Sequence, residues 1–144
     1  MTRTAATRSP SSAGVILIIP STSYRTAAFM EAAIKLDLKV MVITERTQVF
    51  EEVYPDSIIT LDFKNWTDHL PQIRAWTEEV ELKTVVGVDE ESVLIAAEIS
   101  SFLGIRHNSL DSVRKTRDKY LMRSCLEEAR LQSPWFHRFP IYGE

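Results

Sequence analysis

The chain has 144 residues, 44% of them hydrophobic and 26% charged, which fits one soluble domain of ordinary size with room for a core. A net charge of −3 and a pI near 5.7 suit neither a nucleic-acid backbone nor an anionic membrane surface. A single cysteine, Cys125, excludes an internal disulfide and a thiolate zinc site. No apolar run approaches the ~20 residues that cross a bilayer, and a cytoplasmic protein is expected.

Residues 1–14 are rich in Thr, Ala, Ser and Arg and contain no acid; they read as a disordered N-terminal extension. Val15-Ile16-Leu17-Ile18-Ile19 is apolar without alternation, the pattern of a strand covered on both faces. Pro20 ends it, and Ser21, Thr22 and Ser23 offer hydroxyls to cap a helix. That helix carries Ala27, Ala28, Met30, Ala33, Ile34 and Leu36 as its apolar stripe. A second buried strand covers residues 39–44, and a β-α-β unit of this length makes a right-handed crossover between neighbouring parallel strands.

Residues 45–55 are polar and read as loop with some helix. Ile58-Ile59-Thr60-Leu61 is a short third strand. Leu70, Ile73, Trp76 and Val80 share the face of a helix that begins near Asp68, which places Pro71 in the tolerated first turn. Residues 84–88 form a fourth strand, Asp89 caps a helix running to Leu103, and Gly104 is placed to end it. Ile105 reads as the start of a last short strand. A helical turn over residues 108–115, capped by Asn108 or Ser109, precedes an amphipathic helix over 116–130 with Tyr120, Leu121, Leu126 and Ala129. Ser133-Pro134-Trp135-Phe136 is extended and aromatic.

Strands alternating with helices imply a doubly wound, mostly parallel α/β sheet of Rossmann-like form. The organisation expected is an extension over 1–14, an α/β domain over 15–107, and a linker helix leading to a further domain over 108–144. In such folds ligands meet the loops beyond the strands' carboxyl ends, here residues 20–25, 44–48, 61–65 and 89–92. With four glycines in all there is neither a G-x-G-x-x-G nor a G-x-x-x-x-G-K-[ST] pattern, which argues against dinucleotide and P-loop sites. The pair Pro20 and Ser21 stands where a receiver-like fold would carry acids.

The loop from Ser21 to Arg25 combines hydroxyls, helix-start amides and a guanidinium that suit an anion, or serve only as caps. Asp89, Glu90 and Glu91 suit a substrate hydroxyl or amine, or the positive end of a helix. Arg114, Lys115, Arg117, Lys119 and Arg123 form a solvated basic face or a weak phosphate site. His69, His107 and His137 lack spaced partners for a metal. Cys125 lies within an amphipathic helix and reads as a buried, inert thiol.

The segment Thr116-Arg117-Asp118-Lys119-Tyr120-Leu121-Met122-Arg123, followed by Ser133-Pro134-Trp135-Phe136 and preceded by Val86-Gly87-Val88-Asp89-Glu90-Glu91, resembles the N-terminal, pre-ATP-grasp domain of ATP-grasp carboxylate-amine ligases. These include biotin carboxylase-like, glycinamide ribonucleotide synthetase-like and amino-acid ligase members. The resemblance spans residues 14–136. It implies a parent enzyme that activates a small carboxylate with ATP and Mg²⁺ as an acyl phosphate, which an amine then attacks. It implies that Lys119, the lysine of an Asp-Lys pair, contacts the nucleotide, and that Ser21, Ser23, Tyr24, Arg25, Asp89 and Glu90 lie on the substrate side. Relatives continue for roughly one to two further domains, which carry the magnesium-binding set and a second nucleotide lysine. This chain alone is therefore expected to be catalytically inactive and to hold no cofactor tightly; a homodimer is compatible with it. The alternative is a non-catalytic α/β module that binds a small anion or a protein partner through Trp135, Phe136, Phe139 and Tyr142.

Overall fold

A computed structural model describes residues 13–46 and 57–141. The expected extension up to residue 12, most of the loop over 45–55, and Tyr142 lie outside the described residues. The chain divides into two compact units, Met1–His107 and Asn108–Glu144.

Among the described residues of the first unit, four strands, β1 (Ala13–Ile18), β2 (Lys39–Thr44), β3 (Ile58–Thr60) and β4 (Glu81–Gly87), form one sheet in the order β3-β2-β1-β4. Every pairing is parallel. The sheet is α/β and Rossmann-like, as the unalternating apolar strands require. Three helices cover it: α1 (Thr26–Lys35), α2 (Leu70–Thr77) and α3 (Ser92–Leu103).

Strand β1 supplies both sides of the core. Ile16 and Ile18 join Met41, Ile43, Ile59, Ile73, Val85, Ile95 and Ile99 in one cluster. Val15, Leu17 and Ile19 join Ala33 and Val88, with Phe29 and Met30 packed against them, in the other. Period-two geometry sends alternate side chains to opposite faces, so the sheet itself separates the two clusters.

The helices of the first unit follow from local sequence, with departures from expectation. A 3-10 turn over Trp66–His69 leads into α2, with Pro71 in its first turn. The buried stripe of α1 is Phe29, Met30 and Ala33; Ile34 and Leu36 are 63% and 70% exposed. Phe29, the largest side chain of α1, turns the helix in its own favour and leaves the smaller Ala27 and Ala28 outside. No strand starts at Ile105. Gly104 takes φ 71°, its N–H donates to Ser101 O at 3.2 Å, and the Ile105 N–H donates to Ser100 O at 2.9 Å. This pair of bonds is a Schellman turn, and it folds the Ile105 side chain back against the core.

Where β4 meets β1 the register shifts between Gly14 and Val15, so that Gly14 pairs with Leu82 and Val15 with Thr84. Lys83 is the extra residue, a β-bulge on the outer strand. At the other end of the sheet, the Thr44 hydroxyl is buried without a hydrogen-bond partner among the described residues. An unpaired buried hydroxyl costs its desolvation. Thr44→Val is therefore expected to raise stability by about 1 kcal/mol, read as a higher midpoint in urea denaturation; a lower midpoint would mean that the hydroxyl is satisfied.

The second unit holds α4 (Leu110–Arg117) and α5 (Lys119–Glu128). Ser109 caps α4 by accepting from the Ser112 N–H at 3.1 Å. Asp118 caps α5, accepting from the N–H groups of Tyr120 and Leu121 at 2.9 and 3.0 Å. The expected single helix from 116 is thus broken at Asp118, whose extended backbone (φ −105°, ψ 108°) satisfies α5's first amides at the cost of continuity. Among the described residues no helix is long and apolar enough to cross a membrane.

Candidate functional site

The strand order places a switch point between β1 and β4: the chain runs outward from β1 to β2 and β3, then returns to the far side of β1. Crevices of doubly wound sheets open at such points, beyond the carboxyl ends. The loop after β1 carries Ser21, Ser23, Tyr24 and Arg25, and the loop after β4 carries Asp89 and Glu90.

The serines do not cap α1. The N-cap position falls on Arg25, in helical conformation and without a side-chain cap bond. Ser21 instead reaches across to the end of β2, where its N–H and Oγ donate to Glu45 Oε2 at 3.2 and 3.0 Å. Ser23 closes a turn with its N–H on Pro20 O at 2.9 Å, and its Oγ accepts from the Arg25 N–H at 3.4 Å. Tyr24 is 87% exposed. The Arg25 Nε donates to the Tyr24 hydroxyl at 3.3 Å, and the guanidinium lies 5.5 Å from the ring centroid. That hydrogen bond, then the Coulombic attraction of Tyr24 and of Asp89, holds the Arg25 pKa above its usual value.

Asp89 is built into the entry of α3. Its N–H donates to Ser92 Oγ at 3.1 Å, and its Oδ1 accepts from the Ser92 N–H at 3.4 Å. Ser92 is completely buried. Close packing makes this turn possible: a Cβ on Gly87 would lie 2.6 Å from the Ser92 carbonyl carbon and from Val93 N and Cα. Glu90 is exposed and makes no hydrogen bond or ion pair among the described residues.

Beyond the ends of β1, β2 and β3 lies an open cleft of about 600 Å³, whose lining includes Ser21, Glu45, Arg46, Asp62, Lys64 and His69. Both carboxylate oxygens of Asp62 are taken, Oδ1 by the Lys64 N–H and Oδ2 by the Asn65 side-chain amide, each at 2.9 Å. His69 Nδ1 is 3.2 Å from Gln72 Oε1. Leu61 is buried and Phe63 half-buried.

Within the second unit, Lys119 opens α5, and its ammonium has no partner among the described residues. It lines a cleft of about 220 Å³ with Tyr120, Arg123, Phe136, His137 and Arg138. The Tyr120 and Phe136 rings meet edge to face at 5.6 Å, and the Arg138 guanidinium lies 5.7 Å from the Tyr120 centroid. Among the described residues no acid lines this cleft. Cys125 is exposed, against the expectation of a buried thiol. The α5 face that carries it packs on little, and Tyr120 and Leu121 are themselves more than 40% exposed.

No family model matches the chain, and no curated protein matches it. Among solved structures, it is similar to a crystal structure of L-amino acid ligase from Bacillus licheniformis, with a TM-score of 0.66 and 21% identity. The likeness establishes the fold. It covers 88% of this chain and 32% of that one, so the chain spans about a third of the ligase's length.

The structure brings Ser21 into the cleft over β1–β3, holds Arg25 against Tyr24, and puts Lys119 in a cleft of its own unit with Arg123 and Arg138. The loops over 44–48 and 61–65 contribute Glu45, Arg46, Asp62 and Lys64, which the sequence did not single out. Isolated charges in polar loops look like solvated surface. The only signal available was their position just past two strand ends. Among the described residues, no group of three or more His, Cys, Asp or Glu converges on a point that could hold a metal ion.

Proposed function

We propose that this chain is the N-terminal, substrate- and nucleotide-side domain of an ATP-grasp carboxylate-amine ligase, acting with ATP and Mg²⁺ through an acyl phosphate. The observation that carries it is the cleft at the start of α5, where Lys119, Arg123 and Arg138 converge without an acid. The motif around Lys119 and the fold shared with an amino acid ligase support the same assignment. ATP supplies a phosphoryl group that makes a carboxylate reactive toward an amine. Lys119 and its neighbouring cations hold polyphosphate charge at the start of α5. Asp118 anchors the first turn, which fixes where the Lys119 stem begins. Ser21, Ser23, Tyr24 and Arg25, with Asp89 and Glu90, bind and orient the small carboxylate substrate. Among the described residues no cluster of acids and histidines forms a magnesium seat.

In the parent ligase that this function requires, Lys119→Ala is expected to lower kcat/KM for carboxylate-dependent ADP formation by about 100-fold, the scale of one lost electrostatic contact. The 144-residue chain alone is expected to show no Mg²⁺-dependent ATP turnover. An unchanged rate in the variant, or robust turnover by the chain alone, would overturn the proposal.

The exposure of Trp135 (84%), Phe139 (70%) and Ile141 (91%) favours a second function, that of a non-catalytic module which associates through this arm, with itself or with a partner. Sedimentation of the chain separates the two: self-association lost on Trp135→Ser supports the module.

A further inference from the structure

We propose that the arm over residues 133–141 is an unpaired strand whose partner is the same arm of a second copy, the two running antiparallel about a two-fold axis through His137. This deepens the associating function, on which it rests, by naming its partner and its register. The arm follows α5 outside any helix or strand. Among the described residues none of its backbone N–H or C=O groups bonds to another backbone group. The rings of Trp135 and His137 stand 6.4 Å apart and within 9° of parallel, close to the two-residue repeat of an extended chain. Alternate side chains therefore divide. Phe136 and Arg138 turn toward Tyr120 of α5, while Trp135, His137, Phe139 and Ile141 form an exposed row on the other face.

The arm is complementary to itself. With His137 opposite its own copy, Trp135 stands across from the partner's Phe139, and Phe136 across from the partner's Arg138. The two-fold supplies each aromatic and cation–π pair twice. Pro134 falls opposite Pro140. Antiparallel strands alternate between hydrogen-bonded and non-bonded pairs. Placing 135/139 and 137/137 in the bonded set leaves both prolines, which have no N–H to give, in the non-bonded set. They then lie on the outer edge of each strand, where they discourage a third copy. An aromatic side chain buries about 150–250 Å², so the exposed Trp135, Phe139 and Ile141 of two copies offer on the order of 1,000 Å², the size at which specific interfaces begin. A helix or a small molecule would cover the rings and leave the backbone unmatched.

The test is sedimentation and disulfide trapping of the 144-residue chain, in a Cys125→Ser background because Cys125 is exposed. A monomer–dimer equilibrium with nothing larger is expected. Trp135→Ser should weaken it about tenfold or more, because the two-fold removes two aromatic pairs at once. His137→Cys should cross-link to itself on mild oxidation, since bonded pairs hold their Cα atoms about 5.5 Å apart, within reach of a disulfide. Trp135→Cys should cross-link with Phe139→Cys in a mixture but not with its own copy, which lies four residues along, about 13 Å away. Circular dichroism checks that each variant keeps its helices. A folded chain that stays monomeric at about 1 mM overturns both the paired strands and the associating function. Dimers that Trp135→Ser weakens but His137→Cys fails to trap overturn the paired strands and leave association standing, and the ADP-forming assay reads the ligase assignment separately.

Discussion

Gly87→Val is expected to destabilise the α/β unit by about 3 kcal/mol or more, at or above the upper end of ordinary overpacking. The added Cβ would stand 2.6 Å from three backbone atoms of Ser92 and Val93, and backbone within a helix start cannot swing aside as a side-chain tip would. Relief requires α3 to back away from β4. That movement breaks the Asp89–Ser92 hydrogen bonds and loosens Ile95 and Ile99 from the core. Against a total stability of roughly 5–15 kcal/mol, the loss is large. With a urea slope of roughly 1–3 kcal/mol/M, the midpoint should fall by more than about 1 M. Gly87→Ala carries the same Cβ and should show most of the effect. A midpoint within error of the parent for both variants would mean that α3 does not press on β4 as described.

Ile43→Ala comes next, with an expected cost of 2–5 kcal/mol, the range for truncating a buried isoleucine. Ile43 has no exposed surface and stands on β2, paired with Ile18 of β1 on one side and Ile59 of β3 on the other. Its neighbours in the cluster come from strands and helices alike, so no single element can collapse into the vacated space. Ile34→Ala is the matched control: the same truncation on an exposed position of α1 should change stability by less than about 0.5 kcal/mol. Equal effects at the two positions would contradict the assignment of the core.

The parallel sheet was legible in the sequence because a strand buried on both faces must be apolar at every position, and residues 15–19 and 40–43 are. Gly104 was legible because a left-handed residue ends a helix most cheaply as glycine. The fate of Ser21 was not. Its partner is 24 residues away, and nothing local distinguishes a serine that caps the next helix from one that bonds across a sheet. The stripe of α1 was misread for a related reason: small alanines fit any face, so the phase of the helix is set by Phe29 and by what it meets. At the strand ends, position in the topology mattered more than residue type. Glu45 and Lys64 became visible as a pair only once β2 and β3 lay side by side.

The bulge at Lys83 bears on how β1 finds its place. A strand that is greasy on both sides has no wrong side, so sliding it by one step would still bury every side chain, and hydrophobicity alone does not choose among alignments. The choice falls to the strand's threshold, where Gly14 passes close against Val80 and the irregularity in β4 accepts only one pairing. A single residue without a side chain acts there as the index mark by which the whole sheet is aligned.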